Sequence, residues 1–75
     1  MTLMVTLLYM FRGKLELEEV EWFNATKRTK QLTGCTGATI YTMPKDAEEL
    51  RIFNGTNWCI ANDVPGEIKL AAMLL

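Results

Sequence analysis

The sequence predicts an all-β fold, a single domain over residues 1–75 that forms a small sandwich or barrel of about five strands built from hairpins. One observation is Asn54-Gly55, which separates two β-prone runs and is the strongest short-range hairpin signal. A second is the pair of β-prone runs on either side of Arg12-Gly13. A third is the loop signal around Pro65-Gly66.

The first predicted hairpin joins residues 2–11 to residues 14–23 through Arg12-Gly13. A two-residue turn there pairs Met10 with Leu15 and Leu8 with Leu17. The first strand is apolar on both faces, and such strands are buried on both sides. In a chain of 75 residues we expect one of these faces to meet a partner. The candidate contact residues are Met4, Leu8 and Met10.

The apolar alternation of the second strand changes parity between Leu17 and Val20. Either a β-bulge at Glu18-Glu19 or a simple strand end explains this change. Residues 24–34 are polar and predict a loop.

A third strand is predicted over residues 38–43, ended by Pro44, which has no N–H to give to a ladder. A turn follows at residues 45–48. In the Asn-Gly hairpin, a type I′ turn needs positive φ at both central residues. It sets Phe53 opposite Thr56 and Arg51 opposite Trp58, where the guanidinium can stack on the indole.

The end of the chain fits no period cleanly, so strand and short helix are equally compatible with residues 67–75. Leu74-Leu75 is unusual for a solvated tail. Either these residues tuck into the core or they insert into a neighbouring subunit.

Composition excludes several classes of function. The chain has no His, which removes the commonest general base and metal ligand. We find no complete catalytic constellation, so we expect neither an enzyme nor a bound cofactor or metal. A net charge of −1 gives no field that attracts nucleic acid. The apolar N-terminal run is too short to span a bilayer and lacks the features of a signal peptide.

Charge is sorted locally, with four glutamates between residues 16 and 21 and three basic residues between 27 and 30. The simplest interpretation is a solvated strand face followed by a polar loop. The sharper one is a head-to-tail contact between neighbouring copies, for which Glu16 and Glu18 are candidates. For Cys35 and Cys59 we favour two buried free thiols, with a single disulfide as the alternative.

Two stretches carry a family resemblance: Gly37-Ala38-Thr39-Ile40-Tyr41, and the run from Leu50 to Trp58 around Asn54-Gly55. Together they resemble a hairpin of bacteriophage tail-fibre and other virion proteins, in which a G-x-x-x-Y strand precedes L-x-[IV]-[FYW]-[ND]-G-[ST]-x-W. The resemblance implies a structural role without catalysis.

These observations predict a structural virion protein of a bacteriophage, a decoration, tail or fibre-associated subunit made in the host cytoplasm. Its expected partners are copies of itself and other virion subunits. Candidate contacts are the first-strand residues above together with Arg51, Phe53, Trp58, Leu74 and Leu75. The alternative is a small phage- or plasmid-encoded inhibitor that binds a host enzyme through its acidic strand.

Overall fold

Five strands form one antiparallel sheet in the order β2-β1-β3-β4-β5, with two helices packed on it. The computed structural model describes residues 2–44 and 48–75. The domain is mostly β but not all-β, and its described residues form one sheet rather than the predicted sandwich or barrel. In chain order the elements are β1 Met4–Phe11, β2 Lys14–Glu21, α1 Trp22–Thr36, β3 Tyr41–Thr42, β4 Arg51–Phe53, β5 Trp58–Ile60 and α2 Gly66–Met73.

The first hairpin has the predicted register, with Met10 opposite Leu15 and Leu8 opposite Leu17. Its two-residue turn has positive φ at both centres, 52° at Arg12 and 77° at Gly13, as the right-handed strand twist favours. The pairing runs without interruption to the far end of both strands, so the predicted bulge at Glu18-Glu19 is wrong.

Helix α1 occupies the segment for which we predicted a loop. Ala25, Thr29 and Leu32 are buried at spacings of four and three residues, which is one face of a helix. The helix ends at Gly37, whose φ of 71° is the left-handed conformation that helix ends use, and whose N–H donates to the Thr33 carbonyl. The inward positions are mostly Ala and Thr, which give a weak apolar signal, so the apolar periodicity of this segment does not predict a helix.

Helices cover opposite faces of β1. Leu7 packs in the cluster that contains Ala25 and Leu32 of α1, whereas Leu8 packs with Ile68 and Ala72 of α2. Successive strand residues point to opposite sides, so α1 and α2 lie on opposite faces of the sheet. The prediction that β1 is buried on both faces is thus confirmed, but at these positions the chain's own helices cover it.

In the second hairpin each side chain lies on the predicted side of the sheet, but the two strands pair in a different register. Its pairs differ by two positions from the prediction, and a shift of two leaves every side chain on its own face. The loop is therefore four residues long. The Asn54 side-chain oxygen accepts hydrogen bonds from the N–H groups of Thr56 (2.8 Å) and Asn57 (2.7 Å). The observed pairs are Phe53 with Trp58, Ile52 with Cys59, and Arg51 with Ile60.

The remaining predictions divide. Only Tyr41–Thr42 of the third predicted strand pairs in the sheet, and the turn predicted over residues 45–48 lies largely outside the described residues. Residues 67–75, open between strand and helix, belong mainly to α2. Cys35 and Cys59 are both free and exposed, so the expectation of buried thiols is wrong.

Candidate protein-binding surfaces

Helix α2 is apolar on two sides. Ile68 and Ala72 face the sheet and are buried. Leu70, Met73 and Leu74 follow the i, i+3, i+4 spacing of a second face, and they are 61%, 75% and 81% exposed. A globular helix normally has one apolar face, which packs on the core, so a second apolar face has no partner within the described part of this chain. We call these three residues, together with the exposed Leu75, the α2 outer surface.

A groove of about 430 Å³ lies beside this surface. Its wall on the helix side consists of Lys69, Ala72 and Met73, so Met73 belongs to both features. Most of the lining is apolar, and the charged groups are Glu48, Glu49 and Lys69. The lining residues are Met43, Glu48, Glu49, Leu50, Ile60, Ala61, Asn62, Val64, Lys69, Ala72 and Met73, which we call the α2 groove.

Strand β2 is an edge of the sheet, since only β1 pairs with it. The Trp22 N–H donates to the Leu3 carbonyl at 2.8 Å, which makes these two residues a hydrogen-bonded pair just beyond the strand. Hydrogen-bonded and non-bonded pairs alternate in an antiparallel ladder. The backbone groups of every second residue of β2 therefore point away from β1. These residues are Leu15, Leu17, Glu19 and Glu21, which we call the β2 edge.

The acidic strand and the basic segment meet within one chain. Arg28 of α1 donates to both carboxylate oxygens of Glu18, from Nε at 2.5 Å and from Nη2 at 2.7 Å. These bonds favour the charged carboxylate and hold the pKa of Glu18 below its ordinary value, against a smaller opposing effect of burial. Contact between copies is thus not needed to satisfy Arg28, whereas Glu16 stays exposed.

Trp58 lies in an aromatic cluster rather than under a guanidinium. Its ring centroid is 5.2 Å from that of Phe53 and 6.2 Å from that of Trp22 of α1. Its Nε1–H donates to the Thr26 hydroxyl at 3.2 Å. Arg51 pairs with Ile60, so the predicted pairing of Arg51 with Trp58 is wrong. Phe53 and Trp58 are half-buried, and Trp58 joins the second hairpin to α1.

The predicted contacts on β1 are mostly enclosed. Leu8 is fully buried, and Met10 is half-buried against the core beneath α2. They are therefore not free contact residues, because α2 occupies the face on which we expected a partner. Met4 remains 47% exposed, and Leu74 and Leu75 are exposed instead of tucked into the core.

Sequence reasoning missed other exposed residues. Leu70 and Met73 join Leu74 in an i, i+3, i+4 pattern, a signal that becomes readable once residues 67–75 are taken as a helix. Phe23, at the start of α1, is 90% exposed and had been assigned to the end of a strand.

Comparisons with protein families, with curated proteins and with solved structures found no match for this chain. In the part of the chain that the structure describes, no helix has the length and apolarity needed to cross a membrane. Within residues 2–44 and 48–75, no three His, Cys, Asp or Glu side chains are grouped so that they could hold a metal ion. The function is therefore argued from the surfaces themselves.

Proposed function

We propose that this chain is a non-catalytic structural subunit of a bacteriophage particle that acts through protein–protein contacts. The observation that supports this is the α2 outer surface. Full burial of one Leu or Met side chain contributes about 1.5–3 kcal/mol. Four such side chains are exposed, two on α2 and two in the residues directly after it, so their burial favours association with another protein surface.

The particle setting is supported by the resemblance of residues 37–58 to the hairpin of tail-fibre and virion proteins. In this chain the hairpin packs Trp58 against Trp22 of α1, with Phe53 beside Trp58, and leaves the loop at Asn54-Gly55 exposed. A structural hairpin of that kind stabilises a small subunit without forming a reaction centre. In this proposal the protein is made in the host cytoplasm and is then incorporated into the virion, beside copies of itself and other virion subunits.

The test is to quantify this chain in purified particles. Particles released from a host that carries the gene are banded in a density gradient, and the chain's peptides are compared by mass spectrometry with those of the major capsid protein. We expect a fixed ratio that survives a high-salt wash, since an apolar contact is not screened by salt. Absence from the particles would show that the virion role is wrong.

A matched pair of variants connects the test to the surface. Leu70→Asp with Leu74→Asp places charge on the α2 outer surface and should exclude the chain from particles. Phe23→Asp changes an apolar residue on α1 that is even more exposed, at 90%, and should leave incorporation unchanged. Equal incorporation of both variants would show that incorporation into particles does not depend on the α2 outer surface.

The second candidate is a host-enzyme inhibitor that presents carboxylates in place of an anionic substrate. The observation that favours it is that Glu16, Glu19 and Glu21 are exposed on β2, while Arg28 engages Glu18. For this role Glu19→Gln with Glu21→Gln should abolish binding to the host target in pull-down and calorimetry. The aspartate variants of α2 should bind normally. The opposite pattern would rule out the inhibitor role.

A further inference from the structure

We infer that the partner of the α2 outer surface is a second copy of this chain, docked in a two-fold symmetric dimer. This inference rests on the proposed role of that surface in protein contacts. In a two-fold contact both subunits use the same patch, so the patch has to be complementary to itself. A patch of this kind needs projections, hollows and charges of both signs side by side on its surface.

Projections and a hollow lie next to each other here. The α2 outer surface protrudes at Leu74 and Leu75, and the α2 groove lies on the flank of the same helix. Met73 forms part of both. A two-fold axis that passes beside α2 lets the final leucines of each copy enter the other copy's groove, where Leu50, Ala61 and Val64 provide apolar contacts.

Charge on this patch also favours self-association. The α2 groove is lined by Lys69 from α2 and by Glu48 and Glu49 from the segment before β4. Because both signs are present in one patch, a symmetric contact can place each copy's ammonium group against the other copy's carboxylates. Such complementarity fixes the register of an interface more than it adds affinity.

The β2 edge, another exposed place for a second copy, is unsuited to this pairing. Its outward backbone groups fall on odd-numbered residues, so two copies pair only odd with odd and even with even. Every symmetric antiparallel register with five or more paired residues then opposes carboxylates. There are four such registers, and the carboxylates that each sets opposite each other are Glu16 with Glu16, Glu16 with Glu18, Glu18 with Glu18, and Glu19 with Glu19. Like charges directly opposite are destabilising, which disfavours self-association through the β2 edge.

Interface size explains why the groove is needed. An eight-residue helix is only about 12 Å long, and a specific interface needs roughly 1,000 Å² of buried surface. Packing of two such helices against each other supplies too little area. Insertion of Leu74 and Leu75 into the α2 groove extends the contact to the loops around Glu49 and Val64.

The first experiment is molar mass by sedimentation equilibrium across a dilution series, under reducing conditions because Cys35 and Cys59 are exposed. We expect twice the chain mass of 8.5 kDa for the unmodified protein. Leu74→Asp with Leu75→Asp should weaken the dimer by about 100-fold or more, with an unchanged far-ultraviolet circular dichroism spectrum. The matched control Phe23→Asp should remain dimeric. A protein that is monomeric at millimolar concentration would overturn the inference.

The second experiment locates the contact without any substitution. Differently isotope-labelled chains are mixed, and isotope-filtered nuclear Overhauser spectra select pairs of protons in different copies. We expect cross-peaks between the methyl groups of Leu74 or Leu75 and those of Val64 or Ala61. A dimer whose intermolecular cross-peaks involve Leu15 and Leu17 would overturn the inference.

The two proposals fail separately. If the protein is a monomer but is incorporated into particles through α2, the proposed function stands and the partner of this surface is a different virion subunit. A dimer of the expected geometry that is absent from particles retains this inference and removes the virion role.

Discussion

The two glycine-containing hairpins of this molecule follow opposite rules. Arg12-Gly13 is an unremarkable dipeptide, yet it forms a tight two-residue turn between strands of eight residues each. Asn54-Gly55 is the best type I′ dipeptide, yet it opens a four-residue loop between strands of three residues each. The difference teaches that two long strands, one of them buried on both faces, determine a turn, whereas a good turn dipeptide does not determine the strands.

Packing against α1 accounts for the second hairpin. The observed register sets Phe53 directly opposite Trp58, and Trp58 also contacts Trp22 of the helix. The predicted register would have set Phe53 opposite Thr56 and lost this aromatic pair. Close aromatic pairs contribute about 0.5–1.5 kcal/mol beyond their area, which favours the longer loop.

The largest expected difference between the hairpins is in how much each contributes to the stability of the hydrophobic core. Leu7→Ala in β1 removes a fully buried side chain and should lower the free energy of unfolding by about 2–5 kcal/mol. Ile52→Ala in β4 removes a half-buried side chain and should cost clearly less. Urea denaturation measures both. Equal losses would show that the second hairpin contributes to the core as much as the first.

The second prediction tests the loop of the second hairpin. Asn54→Ala removes the oxygen that accepts two backbone hydrogen bonds, from Thr56 and Asn57. At about 0.5–1.5 kcal/mol for each bond, and with both exposed, we expect a loss near 1 kcal/mol. Thr56→Ala leaves both bonds in place and is the control for urea denaturation. If the two variants are equally stable, the side-chain oxygen of Asn54 does not hold the loop.

The third prediction concerns Arg12, the one non-glycine residue with positive φ among those the structure describes. Arg12→Asn supplies a residue that tolerates this conformation and should raise stability by a few tenths to about 1 kcal/mol. Part of the gain is offset because the guanidinium lies 5.0 Å from the Phe11 ring centroid. Arg12→Ala keeps the strain and loses this contact, so its thermal midpoint should fall. A rise in the alanine variant would refute this account of the turn.

The smallest effect concerns the ion pair that joins the first hairpin to α1. The folded-state pKa of Glu18 lies below its ordinary value because Arg28 hydrogen-bonds the carboxylate. The stabilisation is therefore present above the ordinary pKa of a glutamate and is lost as pH falls through the lowered one. Glu18→Gln should remove that pH-dependent part, whereas Glu16→Gln should keep it. Stability curves between pH 7 and pH 2.5 that coincide for both variants would contradict this role.

Prediction from sequence succeeded where contacts are local. The pairing of Met10 with Leu15 follows from a two-residue turn, and the parity of residues on β4 and β5 follows from the pleat. It failed at α1, because the buried positions Ala25 and Thr29 carry little apolar signal. Of the α2 outer surface, the sequence indicates Leu74 and Leu75 as candidate contacts; their exposure is observed, and their contact with a partner stays a prediction. Leu8 was misassigned, since only the folded structure shows that α2 covers it.

The order of strands has a consequence for the folding pathway. Strand β1 lies in the interior of the sheet, with β2 on one side and β3 on the other. The pairing of β1 with β2 joins residues that are close in the sequence. The pairing of β1 with β3 joins Leu7 to Thr42, and α1 lies between them in the chain. Contacts between distant residues close slowly because the intervening chain must first be ordered. We therefore expect an interval during refolding in which β1 is paired with β2 only and its other edge is unpaired. Aggregation of this protein should be fastest in that interval.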